Sequence, residues 1–148
     1  MAGLSDLYQE ILLEHNSKPR NFKKIDDASQ TSDGYNPLCG DQITLYLKVV
    51  DGVIDDVGFQ GSGCAISRAS ASMMTQSIKG QSLEKVQDIF EAFHYMITEP
   101  GGEIDLDTLG DLETLSGINE FPTRIKCAVL AWHTMNAALS GESEVTTE

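Results

Sequence analysis

Two stretches of alternating apolar and polar residues, joined by an Asp-Gly pair, constrain the fold of this chain most strongly. Apolar residues occupy every second position over 43–49, and a second alternating stretch covers 53–59. A period of two is typical of half-buried β-strands, and the Asp-Gly pair between the stretches predicts a tight hairpin turn. The alternation places Val53, Val57 and Phe59 together on one face of the second strand.

This hairpin also predicts which residues meet at its open end. Cys39 and Asp41 come at the start of the first strand, and Cys64 follows the second strand after a Gly-Ser-Gly segment. Because the strands of a hairpin run in opposite directions, the start of the first and the end of the second share one end of the sheet. The two thiols and the carboxylate are therefore expected to lie close together.

Helical patterns occupy most of the remaining chain. Apolar residues recur at helical spacing after Ser5, after Cys64, after Ser82 and after Pro122, and Ser or Pro suits the start of a helix. A short further strand is expected before Tyr35. Strands followed by a run of helices predict an α+β fold, in which a small antiparallel sheet of about three strands is covered by helices.

The chain shows neither an internal repeat nor a linker. Residues 1–141 are therefore expected to form a single domain, since 148 residues suffice to bury a sizeable core. The polar segment 142–148 is expected to be a disordered tail.

Charge and hydropathy disfavour two classes of partner. The chain has 10 Lys and Arg against 23 Asp and Glu, a formal net charge of −13. Such an excess of negative charge repels nucleic-acid phosphates and anionic lipid headgroups, so neither nucleic acid nor a membrane is expected as a partner. The first sixteen residues lack the basic flank and apolar run of a signal peptide, and a cytoplasmic location is expected.

Three cysteines and one aspartate form the candidate metal site. Cys39 lies in the segment NPLCGD together with Asp41, Cys64 lies in GSGCAIS, and Cys127 lies in RIKCA. Thiolates and a carboxylate are ligands that Zn²⁺ accepts in a tetrahedral site, and an odd number of cysteines argues against a disulfide framework. The alternative is three buried, inert cysteines, which are common in protein cores.

The local context of each cysteine differs. Cys39 lies between a proline and a glycine, so it is expected on a loop, whereas Cys64 is expected at a helix N-terminus, where the helix dipole favours the thiolate. Cys127 lies beside the apolar stripe of the last helix, where a structural cysteine is less expected. Arg124 precedes it by one turn and would offset negative charge or hold Asp41, the alternative being a solvated helix residue.

The three histidines are weak ligand candidates. His15 and His133 are expected at the surface near helix C-termini, and His94 at the polar edge of its helix. None of them lies in the segments that carry the cysteines.

The cysteine-containing segments together resemble one protein family. NPLCGD before an alternating strand, FQGSGCAIS followed by R-A-S at the start of a helix, and RIKCAVLAW near the end are similar to the IscU/NifU N-terminal family of iron–sulfur cluster assembly proteins. The SufU branch is the more similar one. Lys126 stands where classical scaffolds carry a histidine, FPTRI replaces their Leu-Pro-Pro-Val-Lys signal, and the segment EPGGEIDLDTLGDLETLSG resembles the SufU insertion.

This resemblance implies a function and a ligand set. It implies an α+β fold, a Zn²⁺ held by Cys39, Asp41, Cys64 and Cys127, and a sulfurtransferase that accepts persulfide sulfur from a cysteine desulfurase of the SufS type, a PLP enzyme. Cys39 is the implied sulfur acceptor, Arg124 a supporting residue, and downstream cluster-assembly proteins the recipients. The alternative is a scaffold on which the same four residues assemble a [2Fe–2S] cluster; Lys126 disfavours it, because lysine ligates iron poorly.

Overall fold

The computed structural model describes residues 6–99, 103 and 105–147. The predicted cap Ser5 lies outside the described residues. The elements in chain order are α1 (Asp6–Ser17), β1 (Gln30–Asn36), β2 (Asp41–Val50), β3 (Val53–Ser62), α2 (Ala65–Ile78), α3 (Leu83–Thr98), α4 (Leu106–Leu109), a 3₁₀ helix (Gly110–Glu120), α5 (Pro122–Leu139) and β4 (Glu144–Thr146). The α+β class is confirmed.

The sheet has four strands in the order β3-β2-β1-β4. β1, β2 and β3 pair antiparallel, as predicted, whereas β4 pairs parallel to β1. The expected disordered tail is wrong for Glu144–Thr146, because the unpaired edge of β1 gives this segment backbone partners. The N–H of Asp33 donates to the carbonyl of Ser143 at 2.9 Å, and the N–H of Thr147 donates to the carbonyl of Tyr35 at 3.0 Å.

The predicted hairpin is confirmed, with one correction to its second strand. Asp51 and Gly52 both have positive φ, 51° and 75°, which a two-residue turn of this hand requires. The pairing register shifts between Lys48 and Val49, and this irregularity changes which face the following side chains occupy. The strand therefore buries Ile54 with Val57 and Phe59, and the predicted inward position of Val53 is only half-buried.

Three predicted helix starts agree with the structure. Cys64 is the N-cap of α2, Ser82 is the N-cap of α3 with its hydroxyl accepting from the N–H of Lys85, and Pro122 is the first residue of α5. Only Gly63 separates the end of β3 from this cap, so the position of Cys64 is set by the hairpin and by the helix together.

Helices α2 and α5 lie on one side of the sheet and form the centre of the core. Trp132 of α5 is fully buried and stacks on Phe93 of α3 at 4.4 Å between ring centroids. Gly34 of β1 faces α5 so closely that a Cβ there would meet the hydroxyl oxygen of Thr134. In the N-terminal half of α5, Cys127 contacts Asn36 at the end of β1, which pairs with Asp41 at the start of β2. Within the described part of the chain, every helix is too short or too polar to cross a bilayer.

Candidate metal centre

Four side chains from four structural elements converge at the open end of the β2–β3 hairpin. Cys39 lies in the four-residue turn between β1 and β2, and Asp41 is the first residue of β2. Cys64 caps α2, and Cys127 lies in the second turn of α5. The proximity that the hairpin predicted for Cys39, Asp41 and Cys64 is thus extended by α5, which adds the third thiol.

The donor atoms lie at separations that suit one metal ion. The Sγ atoms of Cys39 and Cys127 are 3.4 Å apart, and the Sγ of Cys64 is 3.9 Å from Oδ2 of Asp41. Ligand atoms of Cys39, Asp41 and Cys127 all lie within 4.8 Å of one another. Zinc–ligand bonds of about 2.3 Å to sulfur and 2.1 Å to oxygen put neighbouring tetrahedral donors roughly 3.6 to 3.8 Å apart. Cys39, Asp41 and Cys127 therefore fit Zn²⁺, and Cys64, which lies outside this group of three but 3.9 Å from Oδ2 of Asp41, is the candidate fourth donor.

Asp41 is a buried carboxylate with an assigned partner for each oxygen. Its residue is 2 % exposed, Oδ1 accepts the backbone N–H of Cys64 at 2.8 Å, and Oδ2 accepts Nδ2 of Asn36 at 3.0 Å. Each carboxylate oxygen has two lone pairs, so these bonds orient the group and still leave it able to bind a metal. Gly63 makes the arrangement possible, because a Cβ at this position would collide with Oδ1 of Asp41.

The cap position of Cys64 fixes its sulfur. The Sγ atom accepts the backbone N–H of Ser67 at 3.4 Å, in the way that a serine or aspartate oxygen caps a helix. This contact uses one of the unpaired N–H groups of the first turn of α2. The sulfur is therefore tied to the helix on one side and faces Asp41 on the other.

The burial of Cys127 does not follow from its sequence position beside the apolar stripe. The residue is 2 % exposed because α5 is covered by the sheet, by α2 and by the 3₁₀ helix. Burial raises the pKa of this thiol, and hydrogen bonding to the thiols of Cys39 and Cys64 adds to the effect. Without a cation, Cys127 therefore keeps its proton at neutral pH, and metal binding must displace it.

Cys39 is the accessible sulfur of the group. It is exposed, whereas Cys64 is half-buried and Cys127 is buried. Its backbone N–H donates to the carbonyl of Asn36 at 3.3 Å within the turn. Beside this turn, Lys126 and residues 36–38 line an open cleft of about 310 Å³. A second molecule can therefore approach Cys39 without unfolding a helix.

Arg124 lies outside the group of donor atoms. The residue is exposed, and its guanidinium lies over the ring of Phe121 at 5.6 Å from the centroid. The two hydrogen bonds to the carboxylate of Asp41 come from Asn36 and from the backbone of Cys64. The supporting role of Arg124 stays a prediction.

Asn36 is the site residue that the sequence analysis missed. It is fully buried, and its Nδ2 lies 3.0 Å from Oδ2 of Asp41 and 3.6 Å from Sγ of Cys127. The signal was present in NPLCGD, where an asparagine stands three residues before the first cysteine. A motif of this kind does not distinguish a turn-forming asparagine from one that faces a metal site.

Among the residues that the structure describes, no histidine belongs to the group of Cys39, Asp41 and Cys127. His15 is wrongly predicted as a surface residue: it is 3 % exposed, and its Nδ1 lies 2.7 Å from the hydroxyl oxygen of Ser72. His94 and His133 are half-buried, with ring centroids 6.1 Å apart on α3 and α5. Burial lowers the pKa of His15 and of His133.

One protein family matches most of this chain. Residues 7–128 match the model of the NifU-like N-terminal domain. The chain belongs to this family. The resemblance inferred from the three cysteine segments is thus confirmed.

Relatives of the NifU-like N-terminal domain family carry two different names. The chain is 40 % identical over 141 residues to the zinc-dependent sulfurtransferase SufU of Bacillus subtilis, covering 95 % of each protein. It is 41 % identical over 133 residues to the iron–sulfur cluster assembly scaffold protein IscU of Thermotoga maritima, covering 90 % of this chain and 92 % of the relative. Overall identity therefore does not separate the two names.

A solved structure of the same family has the same fold. The crystal structure of FiSufU of Fervidobacterium islandicum AW-1, described as an iron–sulfur cluster assembly scaffold protein for the SUF system, superposes with a TM-score of 0.83 at 32 % identity. The match covers 88 % of this chain and 94 % of that one.

Proposed function

We propose that this protein is a zinc-dependent sulfur acceptor that takes persulfide sulfur from a cysteine desulfurase and passes it on for iron–sulfur cluster assembly. The observation that carries the proposal is the position of Cys39, an exposed thiol on a turn whose Sγ lies 3.4 Å from that of buried Cys127. One donor can leave and return, while the others belong to helix or strand ends.

Zinc suits sulfur acceptance because it stabilises a thiolate and has no redox chemistry of its own. Bound to Cys39, Asp41, Cys64 and Cys127, Zn²⁺ would hold the acceptor sulfur as a thiolate without taking part in redox chemistry. The four residues have different roles in this proposal. Asp41, Cys64 and Cys127 hold the centre at the ends of β2, α2 and α5, and the turn that carries Cys39 supplies the movement.

The sulfur transfer is an exchange at a persulfide. The thiolate of Cys39 attacks the outer sulfur of the persulfide on the desulfurase cysteine, and a new S–S bond forms at Sγ of Cys39. The S–S bond on the desulfurase breaks, and its cysteine leaves as a thiolate. The step needs no external oxidant or reductant, because one thiolate replaces another on the same sulfur atom.

The proposed partner rests on the resemblance of the cysteine segments, and the relative named a zinc-dependent sulfurtransferase supports it. A desulfurase of the SufS type, a PLP enzyme, is the proposed donor, and downstream cluster-assembly proteins are the proposed recipients. The cleft beside Cys39, lined by Lys126 and residues 36–38, gives the donor's persulfide room to approach. A cytoplasmic location belongs to the same proposal, since thiols stay reduced there.

A scaffold for a [2Fe–2S] cluster is the second candidate, favoured by the 41 % identity to the IscU protein of Thermotoga maritima. The same four residues would then hold iron. Lys126 argues against this candidate, because it occupies the position of the histidine in classical scaffolds and its exposed ammonium ligates iron poorly. The donor set of three thiols and one carboxylate is complete for zinc without it.

The deciding experiment combines metal analysis with a desulfurase assay. The protein, purified without added metal, is expected to carry about one zinc per chain and to stimulate cysteine turnover by a SufS-type desulfurase. Anaerobic purification that yields a visible iron–sulfur chromophore, with little zinc and no stimulation, would favour the scaffold instead.

A further inference from the structure

The C-terminal segment reaches the metal centre through Asn36. β4 pairs in parallel with β1, and the strand ends one residue before Thr147. The hydroxyl of Thr147 donates to Oδ1 of Asn36 at 3.0 Å, and its backbone N–H donates to the carbonyl of Tyr35 at 3.0 Å. Both hydrogen bonds of Thr147 therefore reach the last two residues of β1, directly before the turn that carries Cys39.

The side-chain amide of Asn36 connects two candidate metal ligands, Asp41 of β2 and Cys127 of α5. With Oδ1 occupied by Thr147, Nδ2 is directed to Oδ2 of Asp41 at 3.0 Å and to Sγ of Cys127 at 3.6 Å. A side-chain amide has two N–H groups, so one can serve each acceptor. The opposite orientation would place the carbonyl oxygen against a carboxylate, which the electrostatics disfavour.

We propose that Asn36 is a positioning residue of the metal centre, and that Thr147 of the C-terminal segment holds it in the orientation that the centre needs. This inference rests on the proposed zinc site. Three thiolates and a carboxylate carry four negative charges around one dication. Two N–H groups directed at Asp41 and Cys127 offset part of this excess negative charge and orient the two side chains toward the site.

The buried position of Asn36 favours an amide over a charged side chain. Asn36 is fully buried, so each of its polar atoms needs a partner, and the structure gives one to Oδ1 and two to Nδ2. A lysine or arginine in its place would bring a net charge into a buried position at high desolvation cost. An amide donates two hydrogen bonds without that cost.

The contact can be removed without removing the strand. The backbone bonds from Asp33 to Ser143 and from Thr147 to Tyr35 hold β4 independently of the Thr147 hydroxyl. Thr147→Val keeps the shape of the side chain and deletes the donor, whereas Thr147→Ser keeps the donor and deletes a methyl group. These two variants form a matched pair.

The test measures zinc affinity by competition with a chromophoric chelator on the full-length protein. Asn36→Ala is expected to weaken zinc binding by about 10- to 100-fold, the usual effect of losing a partner of a metal ligand. Thr147→Val is expected to weaken it by a smaller factor, up to about 10-fold, and Thr147→Ser to keep the wild-type affinity. The cobalt-substituted protein should show a shifted ligand-field spectrum for Asn36→Ala and Thr147→Val.

Unfolding of the metal-free proteins separates positioning from general stability. Without metal, Thr147→Ser should unfold at the wild-type temperature, whereas Thr147→Val should unfold at a lower temperature because the buried Oδ1 of Asn36 loses its donor. Zinc affinity is therefore compared at a temperature at which all of the metal-free proteins are folded. Equal zinc affinity and equal cobalt spectra for wild type, Asn36→Ala and Thr147→Val would overturn this inference and leave the zinc site intact. A wild-type protein that binds neither zinc nor cobalt would overturn the proposed function together with it.

Discussion

Cys64 and Asp41 are linked by backbone and side chain at once. The N–H of Cys64 donates to Oδ1 of Asp41 at 2.8 Å, and the Sγ of Cys64 lies 3.9 Å from Oδ2 of the same carboxylate. The bond joins the N-cap of α2 to the first residue of β2, so a change at one donor alters the position of the other. This relationship makes the site a cooperative unit.

Loss of the accessible thiol should separate function from fold. Cys39→Ser is expected to abolish sulfur acceptance, because the attacking atom is gone. The residue is exposed on a turn, so the metal-free protein should keep its stability within about 0.5 kcal/mol. The measurement is mass spectrometry after incubation with desulfurase and cysteine, which should place the additional sulfur on Cys39 of the wild type. Additional sulfur on Cys64 or Cys127, with Cys39→Ser still stimulating the desulfurase, would contradict the assignment.

Loss of either less accessible thiol should lower metal content and stability together. Structural zinc sites contribute on the order of 10 kcal/mol to folding in small domains. Cys64→Ser and Cys127→Ser are therefore expected to bind less than one zinc per chain and to melt at a lower temperature than the zinc-loaded wild type. Metal analysis and calorimetry on the same preparations test this, with the metal-free wild type as the control. Variants with full zinc content and unchanged melting would show that these thiols are not ligands.

Gly63→Ala should damage the site through Asp41. Gly63 has a φ of 155°, and a Cβ there would meet Oδ1 of Asp41, so the carboxylate must move. We expect lower zinc affinity in addition to a loss of stability. Gly80→Ala is the matched control, because Gly80 also has positive φ, 81°, but no atom lies within 4 Å of the added Cβ. The control should cost about 1 kcal/mol of stability and leave zinc affinity unchanged. Equal zinc affinity for both variants would remove the basis for this prediction.

Acidification should destabilise the metal-free protein partly through His15. Burial, with Arg20 nearby, holds the pKa of His15 below its ordinary value of 6.5. The unfolded state therefore takes up a proton more readily, and stability is lost as the pH falls below 6.5. Urea unfolding of wild type and His15→Gln between about pH 7.5 and 5 should show a smaller loss for the variant. His133 has a lowered pKa as well, so part of the loss should remain. Identical pH profiles would show that His15 does not contribute.

The sequence by itself determined the hairpin, the helix starts and the chemistry of the donors. The alternation on both sides of Asp51-Gly52, the cap at Cys64 and the proline at the start of α5 are local signals, and local signals report on neighbouring residues. These signals were sufficient to predict that Cys39, Asp41 and Cys64 lie at one end of the sheet. The family was evident from the same cysteine segments.

Only the tertiary structure decided how deeply the site is buried and what holds it. Cys127 lies beside an apolar stripe in the sequence yet is buried, because α5 is covered on several sides by elements distant in the chain. Asn36 and Thr147 are 111 residues apart in the sequence. Their hydrogen bond exists because β4, near the end of the chain, pairs with the edge of β1. Periodicity records which side of one element is apolar, whereas burial and long-range hydrogen bonds depend on which other element packs against that side.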